Sequence, residues 1–355
     1  MSESIMNNQS LQWMDGSGPE PEVVVSSRVR LARNLRRLPF PHHISMEQGQ
    51  KVVAEAKAVL GQSGMSVLGD LNYLGMADLD TVKRHLLMEK HLISPEMANY
   101  EDSYRGVLTN SKGSVAIMLN EEDHVRIQVL LPGLQLNQAY KYAEVIDDEL
   151  EKELDYAFDE RRGYLTSCPT NVGTGMRASV MLHLPAMAMT NQAGAMFENL
   201  NQFGLTVRGV YGENSQVQGN LYQISNQVTL GQTEEDTINN LWGITMQIVE
   251  QEKKLRLQLM DNDHQLKLED KIMRSYGILT NARLLSSQEA LELLSAVRLG
   301  ADLGLIKDIN TTVLNELMVA IRPAHLQMGA GREMEPQDRD ALRAKVVNER
   351  LKEVR

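Results

Sequence analysis

The chain changes texture at Thr233. Before it, short apolar runs alternate in character, as at Ser114–Leu119, His124–Leu131 and Ala178–Pro185; after it, apolar residues recur only at spacings of three and four. Alternation puts side chains on two faces of a strand, whereas the longer period draws one stripe along a helix. The expected class is therefore α+β: an antiparallel sheet flanked by helices, followed by an all-α C-terminal domain. The softest point between the two regimes is Asp261-Asn-Asp-His264, which sets domains at 1–258 and 259–355. Residues 1–21, ending in Gly16-Ser-Gly-Pro-Glu-Pro21, read as a flexible leader. The helical half carries helices over Glu234–Leu257, Gln265–Tyr276, Ser287–Ala301, Thr311–Ile321 with Pro323 behind it, and Pro336–Val354.

Charge narrows the function. With 36 basic against 47 acidic residues, a net −11, the chain has no global attraction for nucleic acid or an anionic membrane. A phosphate site must be a local concentration of arginine. The single cysteine forms no intramolecular disulfide, the N-terminus lacks a basic-then-apolar secretory pattern, and no apolar run approaches the roughly 20 residues of a membrane span. A cytoplasmic protein is expected.

One stretch gathers three kinds of chemistry: Cys168-Pro-Thr-Asn-Val-Gly-Thr-Gly-Met-Arg177, leading into an alternating strand. Its glycines let backbone N–H groups approach an anion, the arginine can fork onto phosphate, and a thiolate beside cations is reactive. Upstream, Ser26-Ser-Arg-Val-Arg-Leu-Ala-Arg-Asn34 places Arg28 and Arg30 on one side of a strand. They form either a solvated basic surface or an anion site. Asn120-Glu-Glu-Asp-His-Val-Arg126 is either a solvated acidic turn or a holder of a cationic substrate. His91, near the end of a helix expected over Asp78–Leu92 and stopped by Pro95, is a cap, a core residue or a ligand contact. Gly212–Gly219 is a polar loop, either a hairpin tip or a substrate clamp carrying Glu213.

Together Arg28, Arg30, Arg126, Arg177 and Arg208, with Glu121, Glu122, Glu213 and Cys168, suit a reaction between a polyanion and a cation. Arginines would neutralise a nucleoside triphosphate while glutamates deprotonate a nitrogen nucleophile. No Gly-Lys-Ser/Thr, Asp-Phe-Gly or His-Arg-Asp motif supports the familiar nucleotide kinase architectures.

These segments, in this order from about residue 23 to 257, resemble the phosphagen (guanidino) kinase family. The resemblance implies a glutamine synthetase-like catalytic domain that cradles Mg-ATP. It carries the nucleotide site onto Ser27, Arg28, Val29, Arg30, Leu31 and His91, then Arg126, Arg177, Ala178, Ser179, Val180 and Met181, and finally Arg208, Gly209, Val210, Tyr211, Gly212 and Glu213. It makes Glu122 the group that orients and deprotonates the guanidinium, helped by Glu121, Glu213 and Arg126, with Cys168 stabilising its charge. No protein metal ligand is implied; magnesium would ride on ATP phosphates and water. The first arginine motif begins at residue 26, whereas metabolite-phosphorylating relatives carry a helical domain of about a hundred residues before it. They also end near the helix that finishes here at Leu257, and they place a histidine at the position of Met181. These departures resemble the branch that phosphorylates arginine side chains of proteins. The same resemblance implies a homodimer through the C-terminal domain, a zinc-binding activator and a Clp ATPase/protease as partners, and a heat-shock role. In Arg339-Asp-Ala-Leu-Arg-Ala344, a solvated helix face by pattern alone, it implies an allosteric phosphoarginine site at Arg339, Asp340 and Arg343. A free guanidino-metabolite kinase and a non-catalytic phosphoarginine-binding adaptor are the alternatives.

Overall fold

The computed structural model describes residues 5–6, 11–62, 69–209, 217–261, 264–307 and 309–353. Eight antiparallel strands form one sheet in the order β2-β3-β4-β5-β1-β8-β10-β9: β1 Val24–Arg33, β2 Leu71–Gly75, β3 Gly106–Asn110, β4 Val115–Leu119, β5 Val125–Pro132, β8 Met176–His183, β9 Leu205–Arg208 and β10 Leu221–Asn226. A separate pair, β6 Phe158–Asp159 and β7 Gly163–Tyr164, lies between β5 and β8 in the chain.

The period of two divides the sheet's side chains. Val29 and Leu31, Ile127 and Val129, and Ala178 and Val180 enter one core, with α1 (Met46–Gln62), α4 (Leu136–Glu151) and α7 (Glu234–Leu259) packed over them. Their neighbours Arg28, Arg30, Arg126, Arg177 and Ser179 project to the other face. Towards its edges that second face turns apolar again at Met118, Leu130, Met181 and Leu221. These residues share a second core with α2 (Thr81–Glu89), α9 (Ser287–Asp302) and α10 (Thr311–Ala320).

The expected leader is a correction. Ile5, Leu11, Trp13 and Met14 are buried in the second core, and the Lys90 Nζ donates to Ile5 O at 2.6 Å. Asn315 and Thr312 donate to the carbonyls of Met14 and Asp15 at 3.0 and 2.7 Å. Burying a tryptophan and a leucine outweighs the ordering of a glycine-rich stretch. The helices before Pro95 and Pro323 do end ahead of them, at Glu89 and Ala320, and each proline also opens the next helix, α3 (Pro95–Ala98) and α11 (Pro323–Ala330). Helices α5 (Pro185–Met189), α6 (Ala193–Leu200), α8 (Gln265–Asn281) and α12 (Pro336–Glu353) complete the chain. No described helix is long and apolar enough to cross a membrane.

Candidate active site

Register brings the arginines together. In the β1–β8 pairing Arg30 lies opposite Arg177 and Arg28 opposite Ser179; in β1–β5 Ala32 lies opposite Arg126, and in β10–β9 Gln223 lies opposite Arg208. Arg28 donates to Gln223 Oε1 at 2.9 Å and to Ser179 Oγ at 3.4 Å. Burial, then Arg126 and Arg177, pushes its guanidinium down to about 10. Burial and the three neighbouring arginines hold Arg30 well below the ordinary arginine range, against Glu121, and its Nε is buried without a hydrogen-bond partner. Like charges crowded in a desolvated floor call for an anion.

The floor opens into a cleft of about 260 Å³ bordered by Arg30, Arg177, Arg208, Arg126, Glu122 and Cys168. Arg126 separates the two glutamates, with NH1 at 2.7 Å from Glu121 and NH2 at 2.6 Å from Glu122. Their environments diverge. Glu121 is buried; burial alone would raise its pKa, but Arg126, the Ser94 hydroxyl at 2.5 Å, the Glu122 N–H and Arg30 pull it below the usual carboxylate range. Glu122 is partly exposed at the cleft; burial, with Asp123 and Glu121, raises its carboxyl against Arg126. An acid whose charged form is favoured thus locks Arg126 beside one whose carboxyl is raised, an arrangement fit for a base.

Asp123 ties the acidic turn to the cysteine. Its buried Oδ1 accepts from Asn34 Nδ2 at 2.6 Å and Ser167 N at 2.8 Å, and Ser167 Oγ donates to Glu122 O at 2.7 Å. Beneath the turn, Arg105 donates to the carbonyls of Asn120 and Glu121 and lies 3.8 Å over the Tyr100 ring. Cys168 Sγ is 3.0 Å from Thr170 Oγ1.

Other expected residues stand elsewhere. Ser27 donates to Gly133 O on the far side of the sheet, and Val29, Leu31, Ala178 and Val180 are core there, because alternation turns every second side chain away. Met181 is buried in the second core. His91 has φ 59°, carries its ring 5.3 Å from Trp13, and is pushed down to about 3 by burial, Arg28 and Arg322; its carbonyl accepts from Gln128. Gly209 follows β9, while Val210, Tyr211, Gly212 and Glu213 lie outside the described residues. The glycine turn does not present its amides at every step. Gly173 N and Thr174 N donate to the carbonyls of Tyr164 and Thr229, and a Cβ on Gly173 would meet Thr229 O at 2.1 Å, so this glycine serves close packing. Arg343 is buried, donating to the carbonyls of Ile321 and Leu285 and paired with Asp340, whereas Arg339 and Asp340 keep partial exposure.

A floor of four cations facing a protonatable carboxylate and a thiol is a phosphoryl-transfer geometry without a glycine-lysine loop. Residues 51–255, more than half the chain, match the model of the ATP:guanido phosphotransferase C-terminal catalytic domain, and 265–355 match the protein-arginine kinase McsB C-terminal domain. The chain belongs to the ATP:guanido phosphotransferase family. Relatives called protein-arginine kinase include those of Syntrophomonas wolfei, 54% identical over 96% of this chain and 95% of that one, and Moorella thermoacetica, 49% identical over 98% and 99%. Solved guanido kinases share the fold. Lombricine kinase has a TM-score of 0.57 at 23% identity over 71% of each chain, and a duplicated taurocyamine kinase from Schistosoma mansoni has 0.60 at 22% identity over 85% of this chain and 49% of that one. As an ATP:guanido phosphotransferase the chain takes ATP as its phosphoryl donor, and the arginine floor is the surface suited to it.

Proposed function

We propose that this chain is a protein-arginine kinase that transfers the ATP γ-phosphate to the guanidinium of arginine side chains in proteins. The observation that carries the reading is the single cleft in which Arg30, Arg126, Arg177 and Arg208 face Glu122 and Cys168. The arginines hold the triphosphate and neutralise charge as the phosphoryl group departs. Glu122 orients the guanidinium and accepts its proton, Glu121 fixes Arg126, and Cys168 stabilises the cationic acceptor without forming a covalent intermediate. Magnesium fits this site on phosphate oxygens and water, since Arg126 already engages both glutamates at 2.7 and 2.6 Å; it would spread charge over the phosphates. Full-length similarity to protein-arginine kinases supports a protein acceptor over a free metabolite.

The family resemblance supports further proposals: Glu213 as a second carboxylate, a cytoplasmic homodimer built through residues 259–355, Arg339, Asp340 and Arg343 as a phosphoarginine site, and partnership with a zinc-binding activator and a Clp ATPase/protease. For Arg343 the site requires exchange of its carbonyl partners for phosphate.

Mass spectrometry that spares phosphoramidates tests the main reading. Protein incubated with enzyme and ATP should carry acid-labile phosphoarginine, absent with Glu122→Ala. An acid-stable phosphoester, or strong preference for free L-arginine, overturns it.

A further inference from the structure

A second cavity, of about 440 Å³, opens between α10 and α12 and shares no lining residue with the cleft. This is the size range of ligand sites, about 300–1,000 Å³. Leu317, Val319 and Val346 give it apolar walls, and Glu316, Glu349 and Glu353 stand around it with Arg350. Arg350 pairs with Glu316 at 2.9 Å and Glu353 at 3.2 Å, so one arginine answers two of the three carboxylates. Glu349 pairs with exposed Lys345 at 3.8 Å.

His325 also lines this cavity and is 5% exposed. Its Nδ1 is 2.8 Å from Glu89 Oε2, and that carboxylate accepts from the N–H groups of Ala324 and His325 at 2.9 and 3.0 Å. A carboxylate serving three donors fixes the ring proton on Nδ1. Burial, with Lys90 and Arg322, holds the imidazole below its ordinary range against Glu89, which favours the neutral ring. Nε2 is then an acceptor without a hydrogen-bond partner among the described residues, on a ring that lines the cavity.

An apolar sleeve, a ring acceptor open to the cavity and carboxylates in excess around it together select a cationic donor on an aliphatic stem. No three His, Cys, Asp or Glu among the described residues stand together to hold a metal ion, which turns the choice to an organic cation. A free amino acid would bring its carboxylate to an acidic mouth; a residue within a polypeptide brings none. We propose that this cavity is a second binding site, for an arginine or lysine side chain presented by a protein, its stem against Leu317, Val319 and Val346 and its head donating to His325 Nε2 near Glu349. The site is separate from the transfer cleft and does not depend on which acceptor that cleft uses.

The full chain carrying Glu122→Gln, which blunts the cleft's own guanidinium affinity, is titrated with N-butylguanidinium, N-butylurea, acetyl-arginine amide and L-arginine. Calorimetry and the His325 ring NMR signals, assigned with His325→Gln, report binding. N-butylguanidinium and acetyl-arginine amide should bind and move the His325 signals, with N-butylurea and L-arginine weaker. Glu349→Gln with Glu353→Gln, both exposed, should weaken binding about two- to fivefold, the scale of one surface charge contact. Equal binding of the neutral urea, unmoved His325 signals, or unchanged affinity in the double variant overturns the site. L-Arginine binding as tightly as the blocked residue overturns the protein-borne source.

Discussion

Two adjacent glutamates differ because each sees a different environment. Glu121 is surrounded by donors; Glu122 faces the cleft with Asp123 and Glu121 behind it. As the proposed base Glu122 would work as a carboxylate, and its pKa is raised, so kcat/KM should fall as pH drops through that raised value, earlier than for an ordinary glutamate. Glu122→Gln should cost about 10²–10⁴-fold in rate, the usual contribution of a positioned base. Asp123→Asn keeps an oxygen for Asn34 and Ser167 but removes a like charge, so the acidic limb of the pH profile should move to lower pH; a limb that stays in place refutes this electrostatic account. Cys168→Ser should slow transfer while leaving it direct, and a trapped phosphocysteine in the wild type would contradict that. Residue type and alternation brought forward the arginines and the acidic turn, whereas the choice of Glu122 within that turn rested on the family resemblance. Asn34, Ser94, Arg105 and Ser167 were not legible, because the contacts that position the acidic turn come from four separate segments. Only Ser94 carried a local sign, as the cap before a proline that opens a helix.

Among the elements, β1 is the strand on which both the floor and its support depend. It carries Arg28 and Arg30 on one face and ends at Arg33, buried against Asp147 of α4 at 2.6 Å and lying 3.5 Å over the Tyr164 ring. Arg33 NH1 also donates to Thr174 O, so one guanidinium fixes the strand, the helix and the turn before Arg177. Breaking a buried pair by removing one partner leaves an uncompensated charge. Arg33→Met should therefore lower stability by about 3–5 kcal/mol in denaturant titrations. Arg33→Met with Asp147→Leu should recover part of that loss; a double variant no better than the single would show that Arg33's carbonyl contacts, not its charge, hold the strand. The long alternating strands and amphipathic helices were legible because each carries several periods of its own pattern. Strand β2 and the pair β6–β7 were not, being short and formed by pairing rather than by pattern. From Leu136 to Phe158 the apolar spacing alone reads as one helix, but the helix ends at Glu151 while Leu154 remains buried, since burial outlasts helical geometry there.

At the scale of the whole molecule, the arginine face of the sheet is also the face that meets the N-terminal segment and the C-terminal helices. Charged residues occupy its middle and apolar residues its margins, so one surface both binds and packs. The end of α2 connects these roles. Glu89 accepts from the first amides of α11, Lys90 donates to Ile5, and His91 sets its ring on Trp13 close to Arg28 while its carbonyl holds Gln128. Glycines and prolines at residues 16–21 conceal this from composition, because the anchors are a few separated apolar side chains. Trp13→Ala should cost about 3–5 kcal/mol, the loss expected for a large buried aromatic. Removing residues 1–21 should lower the thermal midpoint further and weaken ATP binding, because His91 and Gln128 lose the layer that seats them beside Arg28. Calorimetric ATP titrations of the shortened chain, at a temperature where it stays folded, separate the two effects. Unchanged affinity together with an unchanged midpoint would return these residues to the status of a free leader.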